Sequence, residues 1–134
     1  MHQHLRDAWA EMTAPDAPFA WSVVDVRGVP TRAYDSAPPN MAVLWQASAA
    51  HADNDYIVFE DERITYSSAH SMVTALVAHL SANGIGHGDR VAIAMRNYPE
   101  WVISYWATIS LGAAVVGMNA WWTGREMEFG LTDC

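Results

Sequence analysis

The chain has 134 residues, 51% of them hydrophobic, with seven basic side chains against fifteen acidic ones and a formal net charge of -8. That length and apolar content suit one folded domain and exclude a disordered chain, and the acidic balance argues against nucleic acid or an anionic membrane as partner, since both need clustered cations. All seven basic residues are arginine, so no step that needs a lysine is open to these residues, and the single Cys134 makes neither an internal disulfide nor a thiolate metal site.

The N-terminus, MHQHLRDAWAEM, lacks the basic-then-apolar layout of a secretion signal, and no apolar run reaches the roughly 18 residues of a membrane span. A cytoplasmic location is the expectation. Leu5, Ala8, Trp9 and Met12 recur at helical spacing, which predicts a short amphipathic helix over residues 2 to 12, stopped by Pro15 and Pro18. Phe19 to Val26 and Val29 to Tyr34 read as a hairpin around Arg27-Gly28. Residues 1–39 thus form a peripheral arm.

Beyond Pro38-Pro39-Asn40, the positions Met41, Leu44, Trp45 and Ser48 share a helical face up to about His51. Tyr56 to Glu60 and Arg63 to Tyr66 give a second hairpin across Asp61-Glu62. From Ser67 to Asn83 the residues Ala69, Met72, Val73, Leu76 and Leu80 keep a 3.6-residue period, with Ser67, Ser68 and Ser71 as the expected caps and Asn83-Gly84 as the stop.

The chain then enters GDRVAIAMRNYPEWVISYWATISLGAAVVGMN, residues 88–119. Two apolar runs, Val91 to Met95 and Ala113 to Gly117, flank a helix too long for a hairpin connection, so the unit reads as β-α-β with parallel strands. Pro99 and Glu100 suit the first turn of that helix, and Gly112 its exit. The helix is apolar nearly all round, through Trp101, Val102, Ile103, Tyr105, Trp106, Ala107, Ile109 and Leu111. It should therefore be covered on more than one side. Finally Thr123-Gly-Arg-Glu126 has capping-box spacing for a helix through Met127 and Leu131, which is expected to be still in progress at Cys134. The fold class is α/β: a partial parallel sheet with flanking helices and small β-hairpins, residues 40–134 being an incomplete α/β portion.

GIGHG is not a nucleotide loop, because it follows a helix and precedes a strand, the reverse of the order that puts phosphate on a helix N-terminus. The loop that does follow a strand, Arg96 to Glu100, has no glycine. Even so, Arg96 and Asn97 lie where α/β sheets present ligand-facing groups, and Asn119, Trp121 and Trp122 follow the second strand in the same way. Core packing is the commoner use of a Trp-Trp pair, with lining of an apolar pocket the alternative. No metal site is expected: His2 and His4 lack a third ligand, and His70 and His79 lie over two turns apart. Asp53, Asp55, Glu60, Asp61 and Glu62 read as a solvated edge, since nothing nearby would bury one carboxyl.

The order of these pieces resembles the start of the acyl-adenylate-forming enzymes, the AMP-binding or acyl-CoA synthetase superfamily. The resemblance rests on Ile64-Thr65-Tyr66, Leu80 with Asn83-Gly84-Ile85, Gly88-Asp89-Arg90-Val91-Ala92-Ile93, Asn97, Glu100-Trp101, Gly112-Ala113, Asn119 and Glu126. It covers residues 56 to 134, loosely back to about Met41. The Phe19 to Tyr34 arm and Asn119-Ala-Trp-Trp-Thr123 further resemble the fatty-acyl-CoA ligase branch, while Ser68-Ala69 stands where the family commonly has Glu-Leu. The resemblance implies the N-terminal part of the large domain of an acyl-CoA synthetase-like fold. The parent enzyme would use ATP, Mg2+ and CoA to activate a fatty acid or other carboxylic acid and pass it to the CoA thiol. The family's Ser/Thr/Gly-rich phosphate loop, its ribose-binding aspartate and the lysine of its small C-terminal lid have no counterpart here. The chain is expected to be catalytically empty by itself, to need the remainder of the enzyme as partner, and to self-associate through exposed apolar surface. The alternative is a complete small α/β module that binds an apolar ligand or a protein partner through Trp121, Trp122 and the central helix.

Overall fold

A computed structural model describes residues 3–134. They divide into two compact units, one up to Pro39 and one from Asn40 to Cys134. The expected His2-His4 pair falls partly outside the described residues, because His2 does.

In the first unit, α1 (Gln3–Met12) precedes a hairpin of β1 (Trp21–Val26) and β2 (Val29–Tyr34). Arg27 and Gly28 both take positive φ, 54° and 83°, the two-residue turn whose twist matches antiparallel strands. Asp25 Oδ1 accepts from the Gly28 N–H at 3.0 Å and fixes that turn. The apolar stripe of α1 forms as its spacing predicts but stays exposed, with Leu5 and Trp9 each 60% accessible.

In the second unit, Asn40 caps α2 (Met41–Ala47) by accepting from the Val43 N–H at 3.0 Å. The helix does not run on to His51 as an α-helix: Ser48–His51 tightens to a 3-10 turn, and Ser48 gives its hydroxyl proton to the Trp45 carbonyl three residues back at 2.6 Å. The second hairpin pairs β3 (Asp55–Phe59) with β4 (Glu62–Thr65). Its loop is Glu60-Asp61, one residue earlier than expected, with Phe59 opposite Glu62. Arg63 explains the placement, since its guanidinium donates to the carbonyls of both Glu60 and Glu62, at 2.8 and 2.9 Å, and clasps that turn.

Next comes α3 (Tyr66–Ala82), capped by Thr65, whose Oγ1 accepts from the Ser68 N–H at 3.2 Å. The serines expected to cap it lie instead within the first turns, because Tyr66 is already helical. At its far end Gly84, at φ 86°, donates to Ser81 O, and Ile85 N–H reaches back to Leu80 O, a complete Schellman stop. β5 (Arg90–Ile93) and β6 (Ala114–Gly117) then pair in parallel, Arg90 opposite Ala114 and Ile93 opposite Gly117, with α4 (Pro99–Ser110) as the crossover. Helix α4 packs against α3 and against both strands. The core joins Trp45, Ile64, Ala69, Val73, Ile103 and Ala107, and Thr108 is buried at no polar cost because its hydroxyl donates to Ser104 O at 2.8 Å.

Within these residues α4 buries one stripe only, Pro99, Ile103, Ala107 and Thr108, while Trp101, Val102, Tyr105, Trp106 and Ile109 are half-buried. The all-round apolar helix thus meets less cover than its composition calls for. The last element, α5 (Gly124–Asp133), starts on the expected capping box, with Glu126 Oε2 accepting from Thr123 N–H at 2.7 Å. No helix among the described residues is long and apolar enough to cross a membrane.

Candidate substrate-facing groove

A parallel strand pair exposes its carboxyl ends on one side, and the loops that leave them converge there. Beyond β5 the loop is stiff: Tyr98 N–H donates to Arg96 O at 2.8 Å, Pro99 begins α4, and the Tyr98 ring meets Phe59 edge-on at 5.3 Å. Beyond β6, Met118 N–H extends the ladder to Ile93 O at 3.1 Å. Asn119 then closes a turn with both its side-chain and backbone oxygens, accepting from Trp121 N–H at 2.9 Å and Trp122 N–H at 3.0 Å.

Between these loops lies an open groove of about 600 Å³ lined by Met95, Arg96, Asn97, Trp101, Asn119 and Trp121, among others, none of them acidic. Arg96 holds its guanidinium carbon 3.9 Å above the centre of the Trp121 ring. The structure therefore gathers four of the five residues singled out from the sequence. Trp122 is the exception: it faces a separate depression with Arg125, Glu126 and Phe129, and its ring edge stands, with the Met118 methyl, 2.9 and 3.0 Å from where a Cβ at Gly130 would lie. Core packing does not describe Trp121, which is 73% exposed, because the Asn119 turn carries its ring out of the sheet. Met95 and Trp101 belong to the groove as well. Their apolar character assigned them to strand and helix interiors, yet β5 ends at Ile93, and Trp101 sits in the first turn of α4, beside the strand end.

A second, smaller depression of about 230 Å³ is lined by Trp45, His51, Tyr56, Tyr66 and Trp106 with Ser48 at its side. Trp106 donates its indole N–H to the Tyr56 hydroxyl at 2.6 Å, and Trp45 stacks between His70 and Trp106, at centroid distances of 3.9 and 5.0 Å. Burial raises the Tyr56 pKa, with Tyr66 adding to the rise and the Trp106 bond opposing it. Burial also lowers the His70 pKa. Ser48 and His70 are 3.0 Å apart but do not make a nucleophile and base. The hydroxyl's single proton goes to Trp45 O, so His70 donates from Nε2 and Ser48 accepts.

The sequence profile of the AMP-binding enzyme family matches residues 44–134. The chain belongs to that family. It is similar to a long-chain-fatty-acid–CoA ligase of Bacillus subtilis, 34% identical over 92 residues, a match covering 69% of this chain and 16% of the ligase. It is also similar to the medium/long-chain-fatty-acid–CoA ligase FadD6 of Mycobacterium tuberculosis, 35% identical over 115 residues, covering 82% of this chain and 19% of that protein. Among solved structures, the N-terminal subdomain of Klebsiella oxytoca NpsA in complex with 3-hydroxyanthranilyl-AMSN superposes with a TM-score of 0.66 at 26% identity, over 69% of this chain and 24% of that one. This family member spans 16% to 19% of the length of the curated ligases it matches.

Proposed function

We propose that the chain is the leading part of an ATP-dependent fatty-acid–CoA ligase, and that these residues alone are catalytically silent. In such a ligase the carboxylate attacks ATP to give an acyl-adenylate and pyrophosphate, and the CoA thiol then displaces AMP to form the thioester. Three features support silence. The chain has no lysine, no glycine-rich loop follows a strand, and no cluster of three His, Cys, Asp or Glu side chains stands ready for a metal among the described residues. The groove's one charged side chain is Arg96. These residues do not fit a magnesium-bound triphosphate, and its handling belongs to the remainder of the enzyme.

The observation that carries the fatty-acid assignment is the reach of the FadD6 match. It covers 82% of 134 residues, about 110, while residues 40–134 number only 95, so the likeness extends into the N-terminal arm. An aromatic acid is the second reading, because NpsA structures that this chain resembles hold 3-hydroxyanthranilyl-AMSN and 3-hydroxybenzoyl-AMSN. In either case Arg96, Asn97, Asn119 and Trp121 form one wall facing the organic substrate, and Trp122 braces α5 behind it. A cytoplasmic location accompanies this reading. The test is thioester formation by the longer protein read through the same gene, offered dodecanoate and 3-hydroxybenzoate in competition. Preference for dodecanoate supports the assignment. Preference for the benzoate replaces it with the second reading, and turnover of neither removes both.

A further inference from the structure

We propose that the groove beyond β5 and β6 is an oxyanion site in which Arg96 is the recognising group and Trp121 its platform. The ligand it takes carries a carboxylate or a phosphate on an apolar or planar body. This deepens the substrate-facing reading above and rests on it.

Three observations carry the inference. The first is electrostatic: the groove has a guanidinium and no acidic lining residue, so its field favours an anion without an internal competitor. The second concerns donors. Asn119 uses its Oδ1 to accept from the Trp121 N–H at 2.9 Å, which fixes which end of the amide is oxygen and leaves its NH2 group as a donor. An arginine with five N–H donors and no acceptor, beside amides that can each add N–H donors, is a set that suits an oxyanion. The third is the hold on Arg96. Its guanidinium lies 3.9 Å over a ring that is 73% exposed. An exposed cation–π contact is weaker than a bidentate, charge-assisted pair with a carboxylate or phosphate. The indole therefore keeps the arginine extended at low entropic cost and gives it up when an oxyanion arrives. Met95, Trp101 and Trp121 supply apolar surface for the rest of the ligand.

The two sources of such an anion are the acid itself and a nucleotide phosphate, and matched probes separate them. The 134-residue protein is titrated with octanoate and octanol, and with AMP and adenosine, while the indole N–H of Trp121 and the Nε–H of Arg96 are followed by NMR. Trp121 is assigned by its loss in Trp121→Phe. The expected result is a saturable shift of both signals with octanoate or AMP, and none with the uncharged twin. Arg96→Gln abolishes the response, and Arg96→Lys weakens it about tenfold, since an ammonium keeps the charge and loses the planar fork. The Trp106 indole, bonded to Tyr56, reports that each variant is folded. A response to octanoate alone assigns the acid, to AMP alone the nucleotide, and to both a general oxyanion site. Equal shifts with the uncharged twins, no shift with either anion, or an undiminished response in Arg96→Gln overturns the proposal. Failure here leaves thioester formation by the longer protein untouched, and failure of that reaction leaves this titration standing, so the two readings fall separately.

Discussion

Trp106 and Tyr56, fifty residues apart in sequence, are joined by an indole N–H to hydroxyl bond of 2.6 Å that ties the crossover helix α4 to the β3–β4 hairpin. Tyr56→Phe keeps the ring and its contacts but strands a half-buried donor. The cost is expected to be about 1–2 kcal/mol. Urea unfolding checks it, with Tyr66→Phe as the comparison, where a change within about 0.5 kcal/mol is expected. The raised Tyr56 pKa adds a sign. Its neutral form is favoured by the fold, so that contribution is intact below pH 10 and is lost as pH rises through the folded value. Tyr56→Phe removes this alkaline component.

His70 lies flat on Trp45, with planes 13° apart. Burial depresses its pKa below 6.5, so the fold favours the neutral ring. Its contribution to stability is complete above pH 6.5 and is lost as pH falls through the depressed value. The urea midpoint of the native protein should therefore drop between pH 7 and pH 5 by more than that of His70→Gln.

Gly112 ends α4 at φ 71°, with Gly112 N–H on Ile109 O and Ala113 N–H on Thr108 O. A Cβ there would also stand 2.9 Å from the His87 ring. Gly112→Ala should cost about 1–2 kcal/mol from the left-handed backbone alone. Because His87 is exposed and its ring is free to swing away, His87→Ala should rescue little of that loss. Gly86→Ala, where φ is ordinary and nothing lies within 4 Å, should be close to neutral. Thermal or urea melts of the three variants test the ranking.

The apolar side chains Leu5, Trp9, Val23 and Val29 of the arm and Phe129 and Leu131 of α5 are all more than half exposed. Where such side chains are contiguous, as Leu5 and Trp9 are by their i, i+4 spacing on α1, they offer an interaction surface. The 134-residue protein is expected to gain mass with concentration in light scattering, and Leu5→Glu with Trp9→Glu to weaken that association without lowering the melting temperature. A strictly monomeric species at high concentration contradicts the expectation.

The elements were legible in the sequence wherever backbone chemistry is local. Glycine stops at Gly84 and Gly112, Pro99 at a helix start, the Arg27-Gly28 turn and the Thr123–Glu126 box all act through neighbours a few residues away, and each forms where its pattern predicts. The small errors are local as well, and turn on which of several nearby side chains reaches the backbone. The β3–β4 loop is set by the reach of Arg63, and the α3 cap falls on Thr65 because helix begins at Tyr66. In the groove, topology revealed Arg96, Asn97 and Asn119, since parallel strands present their carboxyl ends together. No periodicity tells which of two adjacent tryptophans turns outward. That choice is made by the Asn119 turn, which exposes Trp121 and leaves Trp122 against Gly130.

The proposed role of these residues is scaffold and one wall of a site, with the chemistry carried by the rest of a longer ligase. ATP–pyrophosphate exchange tests it most directly when run with dodecanoate on the 134-residue protein, beside the longer protein from the same gene. Exchange by the longer protein and none above background by the 134 residues is the expected result. Acid-dependent exchange by the 134 residues alone would contradict it.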